Sequence, residues 1–164
     1  MSRKRWKPSV TVAAIIAHDG RYLLVEERTA EGLQYNNPAG HLDPGESPIE
    51  AVMREVFEET ARRFVAEALV GIYLSRFHRP ATGEDVTYLR LAFAGSVGEA
   101  DPAQRLDKGI VRTLWLTPQE IRASRERHRS PLLLRCVEDH LAGHRFSLDL
   151  ITTDASIYTP HVKR

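Results

Sequence analysis

The chain has 164 residues, enough to build one domain with a sizeable core. A formal net charge of +1 argues against a dedicated nucleic-acid binder. No apolar run approaches the ~20 residues that span a bilayer, and the single cysteine, Cys136, excludes an internal disulfide and suits a reducing cytoplasm.

The basic start, residues 1–7, is followed by no long apolar segment, so a signal peptide is not expected. Residues 10–17 read as a buried strand, Asp19 and Gly20 as a hairpin turn, and residues 22–25 as the returning strand. Residues 31–41 are loop-like, with Asn36, Asn37 and Pro38 and the glycines Gly32 and Gly40.

The best-marked helix follows. Ser47 is a natural N-cap, Pro48 suits the first helical position and Glu50 completes a capping box. The helix is predicted to run to about Arg63. Ile49, Val52, Met53, Val56, Thr60 and Phe64 form one face, expected to lie on a sheet.

Residues 71–77, 86–93 and 110–116 read as strands, with Pro80 to Gly83 as a loop. Thr117 caps a short helix, residues 122–129 read as a polar surface segment that could steer an anionic substrate, and a last helix over 131–141 ends at Gly143. No repeat or linker interrupts the chain. Residues 1–164 are therefore expected to form a single α/β (α+β) domain, a mixed sheet covered by helices on both sides. Phe93 and Trp115 are expected in its core, and Cys136 as inert packing.

The chemistry is expected on the solvent side of the first helix. Glu55, Glu58 and Glu59 share one arc of its surface, and Arg54 is expected to point elsewhere. Three acids so close repel one another, and a divalent cation relieves that repulsion. Carboxylate oxygens suit Mg²⁺ or Mn²⁺, and no His or Cys cluster offers a zinc alternative. Gly40 lets backbone approach a metal or phosphate, and its carbonyl could add a ligand. Such a platform fits phosphoryl chemistry on a small phosphorylated substrate.

The stretch from Gly40 through Glu46, Arg54, Glu55, Val56, Glu58 and Glu59 resembles the box of the Nudix family, with Ala61 in place of its last glycine and Arg62 where an apolar residue is usual. The resemblance implies an α/β/α sandwich and a Mg²⁺-dependent phosphohydrolase, with Glu55, Glu58 and Glu59 as metal ligands, joined by the carbonyl of Gly40 or Ala39. Arg54 and Glu46 would form a supporting ion pair. The general base is a box glutamate or a later acid, with Asp107 a candidate and Glu99 a weaker one.

Residues 10–13, 23–27, 36–41, 89–94 and 115–121, and the run from Arg129 to Leu132, further resemble the NudJ-like phosphatase branch. That likeness implies release of orthophosphate from nucleoside di- and triphosphates or from hydroxymethylpyrimidine pyrophosphate. Release of pyrophosphate, or a nucleotide-sensing domain without turnover, are the alternatives. Tyr35, Asn36, Asn37 and Phe77 are candidate pocket residues, and Arg28, Arg76 and Arg90 candidate phosphate contacts. The oligomeric state is expected to be monomer or homodimer.

Overall fold

The computed structural model describes residues 4–160, so Met1, Ser2 and Arg3 of the basic start lie outside it. Seven strands build one mixed sheet: β1 (Ser9–His18), β2 (Arg21–Thr29), β3 (Gly32–Asn36), β4 (Ala39–His41), β5 (Phe64–Arg79), β6 (Glu84–Val97) and β7 (Ile110–Leu116). The helices are α1 (Pro48–Thr60), α2 (Pro118–Ala123) and α3 (Leu132–Leu141).

Asp19 and Gly20 both take positive φ, which is what a tight two-residue hairpin requires, and they turn β1 into β2. The ladder between these strands runs through just Ala17–Tyr22 and His18–Arg21. Beyond it the two part. β1 then takes β4 on one edge and pairs in parallel with β6 on the other, while β2 pairs with β3 and β7. This fork opens the cleft described below.

Strand alternation sends side chains to two cores. Val12, Ala14 and Ile16 of β1, Leu23 of β2 and Phe93 of β6 pack with Ala51, Val52 and Val56 of α1. Ile15, Leu24, Val70 and Ala92 face the other way, onto Ile121 of α2 and Leu133, Cys136 and Val137 of α3. Helices thus cover both faces, as the sequence predicted. Burying Val52 and Val56 contributes about 1.5–3 kcal/mol each. No helix is long and apolar enough to cross a membrane among the described residues.

Both reciprocal capping boxes form, Ser47 with Glu50 and Thr117 with Glu120. Several boundaries differ from expectation. Residues 31–41 hold two short strands instead of a loop, because β2 and β1 each supply a partner edge. Helix α1 stops at Thr60: Ala61 takes the left-handed conformation (φ 58°) that glycine adopts most easily, and its N–H donates to the Phe57 carbonyl. Phe64 consequently opens β5, although it still joins the α1-side core, and Met53 is 44% exposed. Arg62 lies over Trp115 and donates to the Gly98 carbonyl at 2.8 Å. Residues 122–129 contain the end of α2 and a 3₁₀ turn, Arg125–Arg127.

Candidate active site

The capping box fixes where α1 begins, and β4 lays its backbone beside the helix. The Glu55 carboxylate fits against Gly40 so closely that a Cβ there would lie 2.0 Å from its Cδ. One residue back, the Ala39 N–H donates to Glu59 Oε2 at 3.0 Å. Glu55 and Glu59 are 8% and 7% exposed, so this arc of the helix faces β4 and the cleft; the expectation of a solvent-side cluster is corrected.

Asp107 arrives from the loop before β7. Its N–H donates to the Glu58 carbonyl at 2.9 Å, and the Arg28 N–H donates to the Gly109 carbonyl at 2.8 Å, which pins the loop between α1 and β2. Carboxylate oxygens of Glu55, Glu58 and Asp107 lie within 4.8 Å of one another. Glu59 stands outside that trio, held on the β4 backbone.

Arg54 does not point away from the acids. Its Nη1 donates to Glu55 Oε1 (2.8 Å) and Glu58 Oε2 (3.1 Å), while Nε and Nη2 hold Glu46 at 3.0 and 2.7 Å and Nη2 also reaches the His41 carbonyl. The side chain is long enough to sweep across the helix surface, which a wheel of Cα positions does not register. The Arg54–Glu46 pair expected from sequence is present within this network.

The electrostatics separate the acids. The Arg54 guanidinium holds Glu46 below the usual carboxylate range. Burial raises Glu55 despite Arg54. Burial also pushes Glu59 up to about 8, partly offset by the Ala39 N–H, and it makes no ion pair among the described residues, whereas Glu55 and Glu58 pair with Arg54. Of the four carboxylates Glu55, Glu58, Glu59 and Asp107, Arg54 bonds only Glu55 and Glu58, and Glu46 already engages the same guanidinium. An all-oxygen set with excess negative charge suits a hard divalent cation.

These groups border a cleft of about 680 Å³. Gly40, Glu55, Glu59 and Asp107 line one part of it, and Arg28, Asn36, Arg76, Phe77 and Arg90 line the rest. Arg76 is held in two bonds of 2.7 Å by Asp85, and Phe77 lies under the Arg79 guanidinium. Arg90 is buried and donates to Asn37 Oδ1 at 3.0 Å and Asn36 Oδ1 at 3.4 Å. Tyr35 and Asn37 are buried and do not line the cleft; Tyr35 instead packs under Arg127, 4.1 Å from its ring centre. Glu99 lies by Trp115 in a separate hollow.

Sequence reasoning missed Glu27, Tyr88, Lys108 and Arg129, all of which line the cleft. Glu27 and Arg129 carried a signal as part of the family likeness, and Arg129 also ends the segment 122–129 read as able to steer an anionic substrate.

Residues 5–136 match the family model of the NUDIX domain. The chain is 32% identical over 146 residues to Phosphatase NudJ of Escherichia coli strain K12, across 89% of this chain and 92% of that protein. The match to Phosphatase NudJ of Shigella flexneri has the same extent. A NUDIX hydrolase from Nitrosomonas europaea superposes with a TM-score of 0.83 at 48% identity, covering 90% of this chain and 98% of that one. A UDP-X diphosphatase shares the fold at 18% identity, with a TM-score of 0.67 over 88% of this chain and 68% of its own. The domain match takes in the whole box and the sheet that carries it, and this protein therefore belongs to the Nudix hydrolase family.

Proposed function

We propose that the protein hydrolyses a phosphoanhydride bond with Mg²⁺, releasing orthophosphate from nucleoside di- or triphosphates or from hydroxymethylpyrimidine pyrophosphate. The observation that carries this reading is the meeting of Glu55, Glu58 and Asp107 oxygens within 4.8 Å beside a cleft whose other walls bear arginines. The likeness to Phosphatase NudJ supports orthophosphate as the product. Residues 1–164 would act as one working unit on small molecules in the cytoplasm.

Glu55, Glu58 and Glu59, with the Gly40 carbonyl, would hold the cation. Bound there, it would neutralise phosphate charge and make a water more acidic. Asp107 would accept the proton of a water adding to phosphorus, while the bridging P–O bond breaks and its electron pair leaves on the departing phosphate. Arg54 would orient Glu55 and Glu58, and Glu46 would hold Arg54. Arg28 and Arg90 would steady the substrate's phosphates. Phe77 would flank its ring, while Tyr35 and Asn37 would shape the wall from within.

Nucleoside di- and triphosphates and hydroxymethylpyrimidine pyrophosphate should be screened with Mg²⁺, scoring orthophosphate and pyrophosphate separately. Orthophosphate as the first product supports the proposal. Pyrophosphate from every active substrate would reassign the bond cut. Tight nucleotide binding with no turnover would defeat the catalytic reading.

A further inference from the structure

We propose that Arg129, which lies outside the box, is a phosphate-gripping residue of the cleft, presented to the substrate by the buried carboxylate Glu27. The inference rests on the reading of the cleft as a phosphate site, and it concerns the wall rather than the acids on α1.

Three observations converge on this residue. First, the segment around Arg129 is fixed to the wall by its backbone. The Arg129 N–H donates to the Tyr35 carbonyl at 2.9 Å, and His128 forms a parallel bridge with Tyr35. Two residues earlier, Arg127 donates to Glu26 Oε2 at 2.5 Å and lies over the Tyr35 ring.

Second, the Arg129 side chain is aimed by a group that has little other reason to be there. Glu27 is 5% exposed, and Arg129 Nη1 donates to its Oε2, while Asn36 Nδ2 reaches its Oε1 at 3.4 Å. A carboxylate buried to this degree is tolerated when it is paired. Asn36 in turn accepts from Arg90. The order Arg129, Glu27, Asn36, Arg90 is thus one connected chain of polar side chains, and all four line the cleft.

Third, the charge and donor count favour an anion. This chain carries two guanidiniums against one carboxylate. Arg129 has five N–H donors, of which one goes to Glu27, and its side chain is 53% exposed, so the remaining fork faces the opening. By contrast, Arg76 spends two donors on Asp85, and Arg79 is divided between Glu31 and Glu84. A planar guanidinium held from one side and open on the other matches the bidentate geometry of a phosphoryl group. Glu27 is the positioning residue for this contact.

The test uses inorganic tripolyphosphate as the probe, titrated by calorimetry into the full chain in EDTA, so that the cations of the wall are read without metal or turnover. R129A should weaken binding at least tenfold and R129K by less, since lysine keeps the charge but loses the fork. Mg²⁺ binding, titrated separately, should stay within about twofold of wild type. R129A leaves Glu27 buried without its cation, so the R129A/E27Q double variant is measured alongside and should show the same loss with its fold secured. Tripolyphosphate affinity within twofold of wild type in a folded R129A or R129A/E27Q protein would overturn the proposal, as would no binding by wild type. If the loss is found but no phosphoanhydride is turned over with Mg²⁺, the proposed enzymatic function fails and the Arg129 site stands.

Discussion

The carboxylate of Glu55 occupies the volume that any side chain at Gly40 would need, its two oxygens lying 2.1 and 2.3 Å from where a Cβ would stand. The glycine is therefore required for more than a turn: it lets a buried acid come up against the β4 backbone. The obstructed atoms are the far end of a flexible side chain, so Gly40→Ala should fold and should instead push the carboxylate aside. We expect kcat/KM to fall at least ~10²-fold, the scale of a lost metal contribution, with the circular dichroism spectrum and melting temperature close to wild type. Near-normal turnover would show that Glu55 need not sit against β4.

Glu59 should make the metal-free protein sensitive to base. Its folded pKa of about 8 lies above the 4.5 of an ordinary glutamate, so the folded state keeps a proton that the unfolded chain gives up. Its contribution is therefore fully present below pH ~4.5 and lost as pH rises through ~8, amounting to about 5 kcal/mol at most. Urea unfolding in EDTA should show wild type losing stability relative to Glu59→Gln across that range. The same variant should lower turnover at least ~10²-fold in Mg²⁺. A wild-type minus variant difference that does not change with pH would remove the case for a protonated Glu59.

The opposite sign is expected on the α3 side of the sheet. His140 accepts from Arg145 at Nε2 and meets the Tyr22 hydroxyl at Nδ1, 2.7 Å away, so it is held neutral. Burial, with Arg145 nearby, pushes its pKa down to about 4 from 6.5. The unfolded chain takes up the proton first, so this stability is present above pH ~6.5 and lost as pH falls through ~4, by about 2 kcal/mol once the full ~3.4 kcal/mol of the shift is discounted for solvent screening of a half-buried ring. His140→Gln should flatten that part of the acid limb, measured by thermal melts between pH 4 and 7. An unchanged slope would mean that His140 does not carry it.

Much of this could be read from residues alone, for identifiable reasons. Capping boxes and the Asp19–Gly20 turn are local chemistry, and they stand where the sequence places them. Strands β3 and β4 escaped because residues 31–41 are rich in Gly, Asn and Pro, and their pairing is supplied by distant edges of β2 and β1. Spacing put Glu55, Glu58 and Glu59 on one arc, but it could not tell that β4 covers that arc or that Arg54 reaches back over it. Asp107 is 48 residues beyond Glu59 in the chain, and only the fold brings its loop to the Glu58 carbonyl. Glu27 and Arg129 are 102 residues apart and belong to no shared motif.

On the proposed reading, these crowded acids serve a divalent cation which the hydrolysis requires. The rate of phosphate release from an active substrate should be followed as Mg²⁺ is titrated into EDTA-treated protein at pH 8. Saturable activation from a negligible metal-free rate, lost in the Glu55→Gln/Glu59→Gln double variant, is the expected result. An undiminished rate in excess EDTA, with the fold intact, would contradict the claim.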